Sequence, residues 1–124
     1  MFFFGKKKKE KKQEQAVPVA NQEALISKAS EKVTELESKT GDERVSLLNE
    51  IGSLYTQAEE TDLAIKYYEE SLELCKQHGK ASTDLMKLYN KKRQEAKDDE
   101  KVKEYMDKVQ NLMQMSKDMI RGNA

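Results

Sequence analysis

Five apolar stripes of helical period, separated by short polar turns, run through most of this 124-residue chain and make helix-on-helix packing its route to a core. The first is Leu25, Ala29, Val33 and Leu36, with Asn21 placed to cap its start and Gly41 to stop it. The second is Leu47, Leu48, Ile51, Leu54, Tyr55 and Ala58, closed by the polar turn Glu59, Glu60, Thr61, where Thr61 is the expected N-cap of the next helix. The third is Ala64, Ile65, Tyr68, Ser71, Leu72 and Cys75. Its expected end has Lys76 and His78 in the last turn and Gly79 as a left-handed C-cap.

Ala81, Leu85, Leu88 and Tyr89 form the fourth stripe, followed by the polar stretch Lys91 to Glu100. The fifth, Val102, Tyr105, Met106, Val109, Leu112, Met113, Met119 and Ile120, is the longest and has a nearly heptad seam. No segment alternates apolar and polar residues with period two, so the expected fold is all-α, with about five helices and antiparallel neighbours across the short turns.

Charge divides the chain where hydropathy does not. Lysine plus arginine equals aspartate plus glutamate at 23 each, but six lysines and one glutamate fall within Met1 to Lys12, leaving 17 basic and 22 acidic residues elsewhere. Residues 1–20 lack helical periodicity, hold the single proline, Pro18, and are expected to be a disordered basic leader before a helical domain over 21–121. The start, Phe2, Phe3 and Phe4 ahead of Lys6 to Lys9, reverses the order of a secretory signal. It leaves two alternatives open: a solvated terminus, or weak peripheral docking on an anionic membrane surface. A single cysteine, Cys75, forms no intramolecular disulfide, and the expected location is cytoplasmic, with the inner membrane surface as the peripheral alternative.

Catalytic and metal chemistry find little to work with. His78 is the sole histidine, Cys75 lies on a packing stripe, and no glycine-rich phosphate loop or metal-ligand spacing occurs, so neither an enzyme, a metal site nor a cofactor is expected. Nucleic acid is an unfavoured partner. Lys6 to Lys12 and Lys91, Lys92, Arg93 offer positive charge, but the body is acidic and no aromatic residues interleave with those clusters.

From Val45 the order of residue types resembles the 34-residue tetratricopeptide repeat. Leu48, Ile51, Gly52 and Tyr55 stand at the helix A positions of that pattern, and Ala64, Tyr68 and Ser71 at those of helix B. The run Tyr67, Tyr68, Glu69, Glu70, Ser71, Leu72, Glu73, Leu74 is close to the family consensus. The best repeat covers 45–78, and a degenerate second one covers 79–115, in which Leu85, Met86 and Tyr89 match helix A while Val102, Met106 and Val109 arrive about one turn late. Ala29, Val33 and Leu36 resemble helix B of a truncated repeat. Departures are Leu48 in place of the frequent Trp, Glu59 in place of the turn glycine and Lys76 in place of the closing proline.

The resemblance implies antiparallel helix pairs stacked as a short right-handed solenoid. It also implies a non-catalytic adaptor whose concave groove, lined by helix A residues, receives a peptide or helix of a protein partner. Mapped onto this chain, that groove takes Asn49, Ser53 and Thr56 from the first helix A. The second supplies Thr83, Lys87, Asn90 and Lys91, with Lys80 at the entrance. The lysine spacing favours an acidic peptide; it equally describes an ordinary solvated helix face. Met106, Met113 and Met119 with Val109 and Leu112 offer a second surface for a homodimer, or simply pack on the preceding helix. Self-association with weak tethering by the Phe/Lys-rich start is the alternative function.

Overall fold

The computed structural model describes residues 19–76 and 79–120, and among these every element is helical. α1 spans Val19–Glu35 and continues into a 3-10 turn at Leu36–Ser38; α2 spans Gly41–Gln57, α3 Thr61–Leu74, α4 Lys80–Glu95 and α5 Asp99–Ile120. The all-α expectation and the count of about five helices hold for the described residues. α1 begins inside the segment read as leader, and residues 1–18, with Phe2 to Phe4 and the lysine cluster, lie outside the described residues.

Each helix packs chiefly on its neighbour in the chain, and α2 with α3 forms the most extensive interface. Cross-helix contacts show that every consecutive pair is antiparallel, α4 and α5 through Tyr89 near Tyr105 and Met86 near Met113. Lys32 reaches Glu50 while Arg44 reaches back to the carbonyl of Leu36. Asn49 meets Ser71 while Gly52 meets Tyr68. Asp62 pairs with Lys92 while Tyr68 bonds Asp84. One continuous core results, from Ala29 and Leu36 through Leu48, Ile51, Ala64, Tyr68 and Leu85 to Leu112. α5 is the longest described helix at 22 residues, yet Leu112 is its one fully buried apolar side chain among the described residues.

The closest approach in this core needs a glycine. A Cβ added at Gly52 would lie 2.9 Å from Cε1 and Cζ of Tyr68, whose ring is wholly buried, so the ring rests directly on the α2 backbone. Opposite hydroxyls and rings complete the interface. The buried Ser71 hydroxyl donates to Oδ1 of Asn49 at 2.6 Å, and Tyr55 stacks on Tyr67 with ring centroids 5.8 Å apart.

The turns correct three sequence expectations. Gly41 opens α2 in a left-handed conformation (φ +59°) instead of stopping α1, which the 3-10 turn at Leu36–Ser38 ends. Thr61 is the first residue of α3, and the residue ahead of it, Glu60, occupies the N-cap without a side-chain bond. Gly79 is the N-cap of α4 in extended backbone, not a left-handed C-cap of α3, because α3 stops at Leu74 where Cys75 turns extended. The Ser82 hydroxyl closes that cap, accepting from the Gly79 N–H at 3.1 Å and donating to its carbonyl at 3.0 Å. Gln77 and His78 lie outside the described residues. Asp98 caps α5 by accepting the Lys101 N–H at 2.8 Å.

The left-handed position that ends α2 is filled by Glu59 (φ +64°). Its N–H donates to the Thr56 carbonyl at 3.1 Å and the Glu60 N–H to the Tyr55 carbonyl at 2.8 Å, the bonding pattern of a Schellman cap. That geometry strains any residue with a Cβ.

Two outcomes follow for stability. Gly52→Leu overpacks the Tyr68 site and should lower unfolding stability by about 3 kcal/mol, the upper part of the usual overpacking range. Glu59→Gly removes the left-handed strain and should raise it by up to about 1 kcal/mol, after the added freedom of the unfolded chain is deducted. Urea unfolding followed by circular dichroism checks both, and a neutral Gly52→Leu would refute the close approach.

Candidate interaction face on helices 2 and 4

The phenol of Tyr68 is the point at which α2, α3 and α4 meet. Its ring is held against Gly52, so its hydroxyl is carried to the α4 side, where it donates to Oδ2 of Asp84 at 2.8 Å. Lys80, one turn earlier on α4, brings its Nζ to the same oxygen at 2.9 Å. Ser53 and Thr56 of α2 stand close enough for their hydroxyls to act on the phenol oxygen. Of the sequence-predicted residues, Lys80 thus contacts the Tyr68–Asp84 pair directly, while Ser53 and Thr56 bear on the phenol and Lys87 on the carboxylate electrostatically.

The electrostatics follow from that arrangement. Burial pushes the Tyr68 phenol well above its ordinary range, the Asp84 carboxylate pushes it further in the same direction, and the Ser53 and Thr56 hydroxyls oppose them. Partial burial of Asp84 by itself favours the protonated acid. The hydrogen bonds from Lys80 and Tyr68, with the charges of Lys80 and Lys87, outweigh that burial and hold the carboxyl below the usual range. Asp84 is thus ionised at neutral pH and neutralises part of the lysine face.

The other predicted residues are placed differently. Asn49 is half-buried in the α2–α3 interface with its side-chain oxygen accepting from Ser71. Asn90 accepts from Nε of Arg93 on its own helix at 3.3 Å. Thr56 donates back to the Gly52 carbonyl at 2.8 Å, and Gln57 donates to the Ser53 hydroxyl at 3.3 Å. Lys91 is exposed on α4. Thr83 and Lys87 border a groove of about 400 Å³ between α4 and α5, lined also by Met86 and Met113.

Sequence reasoning overlooked Asp84 and Met86. Asp84 stands four residues after Lys80 and three before Lys87, a spacing that places all three on neighbouring parts of one helix surface. Met86 was read only as the occupant of a packing position, and its opening toward solvent depends on how far α5 stands from α4.

A second groove, of about 280 Å³, lies between α3 and α5 over Leu85 and Tyr89. Its polar rim is satisfied from within. The Tyr89 hydroxyl donates to Glu69, Lys108 approaches the same carboxylate at 3.7 Å, and burial followed by that bond drives the Tyr89 phenol pKa upward. Among the described residues no cluster of three or more His, Cys, Asp or Glu side chains is placed to hold a metal ion, and no helix is long and apolar enough to cross a membrane.

Compared with protein-family models, with curated proteins and with solved structures, the chain gives no match. The functional reading therefore rests on this chain's own residues.

A pH dependence follows from Asp84. A carboxyl whose folded pKa is lowered stabilises fully above its unfolded value of about 3.9, and that contribution is lost as pH falls through the lower folded value. Asp84→Asn should therefore flatten the acid limb of stability against pH while leaving the fold intact. Urea midpoints measured between neutral pH and the carboxylate range check this, and an unchanged acid limb would contradict the site geometry.

Proposed function

We propose that the chain is a short helical-repeat module of the tetratricopeptide type, acting as a non-catalytic adaptor that holds a segment of another protein against the inner face of α2 and α4. On this reading α2 and α3 form one helix pair and α4 and α5 the next, stacked as a right-handed solenoid, with α1 as the remnant of a preceding unit. The packing supports it in a specific way. Gly52 and Ala64 stand where the repeat pattern requires small residues, Ala64 is wholly buried, and the aromatic residue of the pattern, Tyr68, occupies the space above Gly52.

The observation that carries the functional reading is the chain from the Tyr68 hydroxyl to Asp84 at 2.8 Å and from Asp84 to Lys80 at 2.9 Å, with Ser53 and Thr56 bearing on the phenol and Lys87 on the carboxylate. It supports a reading in which the A helices of two successive pairs share one polar surface, of the kind on which a repeat array holds an extended ligand. Asp84 engages Lys80 in a direct ion pair. Lys87 and Lys91, both exposed and one turn apart, then remain to meet carboxylates of an acidic partner in the cytoplasm.

Affinity capture with crosslinking from native cytoplasmic extract, using the unaltered chain and a Lys87→Glu, Lys91→Glu double variant of equal helicity, checks this reading. The partner should be lost from the variant alone. Capture of the same partner by both forms, or of the chain itself only, would remove the inner face as the site.

A further inference from the structure

α5 ends the helix array, and its outer side carries an apolar track. Met106, Met113 and Ile120 recur every seven residues and are 43%, 46% and 67% exposed. Tyr105, Val109 and Met115 turn instead toward the core. Met113 forms one wall of the α4–α5 groove together with Ser116 and Lys117, and Thr83, Met86 and Lys87 of α4 form the other. The residue spacing continues in register beyond this point. Arg93 follows Met86 by seven residues and Met106 precedes Met113 by seven, so the antiparallel helices carry the same two faces onward for two further turns.

The two charged residues that line this groove are both basic. Lys87 and Lys117 flank the methionines, and neither is held in an ion pair among the described residues. Lys103 lies on the Lys117 side of α5, fourteen residues earlier, with Asp107 3.4 Å away. A methionine floor adapts to apolar side chains of varied shape. Lysines on both of its walls, Lys87 on α4 and Lys117 on α5, select against an occupant bordered by lysines and favour one bordered by carboxylates. A helix whose apolar stripe is bordered by carboxylates meets both requirements.

We propose that the α4–α5 groove takes an amphipathic helix from an acidic partner, with apolar side chains at heptad spacing seated on Met86, Met113 and Met106 and glutamates or aspartates facing Lys87 and Lys117. This rests on the adaptor reading and names the chemistry of the partner; it moves the anchor of binding from the polar α2–α4 face to the apolar groove beside it.

The test uses the full chain and two synthetic 18-residue helical probes with leucines at heptad spacing, one flanked by glutamates and one by lysines, with binding followed by fluorescence anisotropy. The glutamate probe should bind, with added salt weakening it, and the lysine probe should not. Met113→Ser and Lys117→Glu, both at exposed positions, should each weaken the glutamate probe by about tenfold with helicity unchanged. Lys91→Glu, which lies outside the groove, should leave it unaltered. Equal binding of both probes would overturn the proposal as mere apolar adhesion. Loss with Lys91→Glu but not with Met113→Ser would overturn it while leaving the α2–α4 face as the site. Absence of probe binding would also overturn it, and if accompanied by a concentration-dependent dimer that Met113→Ser dissolves, would assign the groove to a second copy.

Discussion

The ring of Tyr68 lying on the bare backbone of Gly52 is the contact on which the rest of the arrangement depends. It lets α2 and α3 approach closely enough for Ser71 to reach Asn49 and for Tyr55 to stack on Tyr67. It also fixes where the phenol emerges. The hydroxyl meets Asp84 on α4, and Asp84 draws in Lys80, so the α3–α4 contact is set from the same ring. A residue chosen for its missing side chain thus governs packing two helices away.

Stability is expected to be uneven along such an array. Helices that touch chiefly their chain neighbours contribute in proportion to the interfaces they share, and the inner helices share two. α2, α3 and α4 hold most of the buried apolar residues, whereas α1 and α5 each bury a single one among the described residues. α5 therefore spends much of its length as a surface, along which Met106, Met113 and Ile120 are exposed.

Much of this was legible from residue order. Helical periodicity located all five helices, since apolar residues at three- and four-residue spacing specify both the element and its buried face. Gly52 and Tyr68 were legible as a pair because one small and one large side chain at fixed offsets must meet. The turns were less so. Gly41 and Gly79 each sit between two helices, and nothing local decides whether a glycine ends the first or opens the second. The face was read in part. Ser53, Thr56, Lys80 and Lys87 do converge, but Asn49 turns into the α2–α3 interface because Ser71, distant in sequence, needs an acceptor there. Asp84 escaped attention because its partner Tyr68 lies sixteen residues away.

A double-mutant cycle tests the central claim most directly, with Gly52→Ala measured in the unaltered chain and in a Tyr68→Leu background. The account predicts a loss of stability in the first, where the new methyl meets the ring, and a neutral or favourable effect in the second, where the helix-forming preference of alanine over glycine, about 1 kcal/mol, is left unopposed. An equal penalty in both backgrounds would show that the Tyr68 ring does not rest on Gly52, and the account of how Asp84 is positioned would lose its foundation.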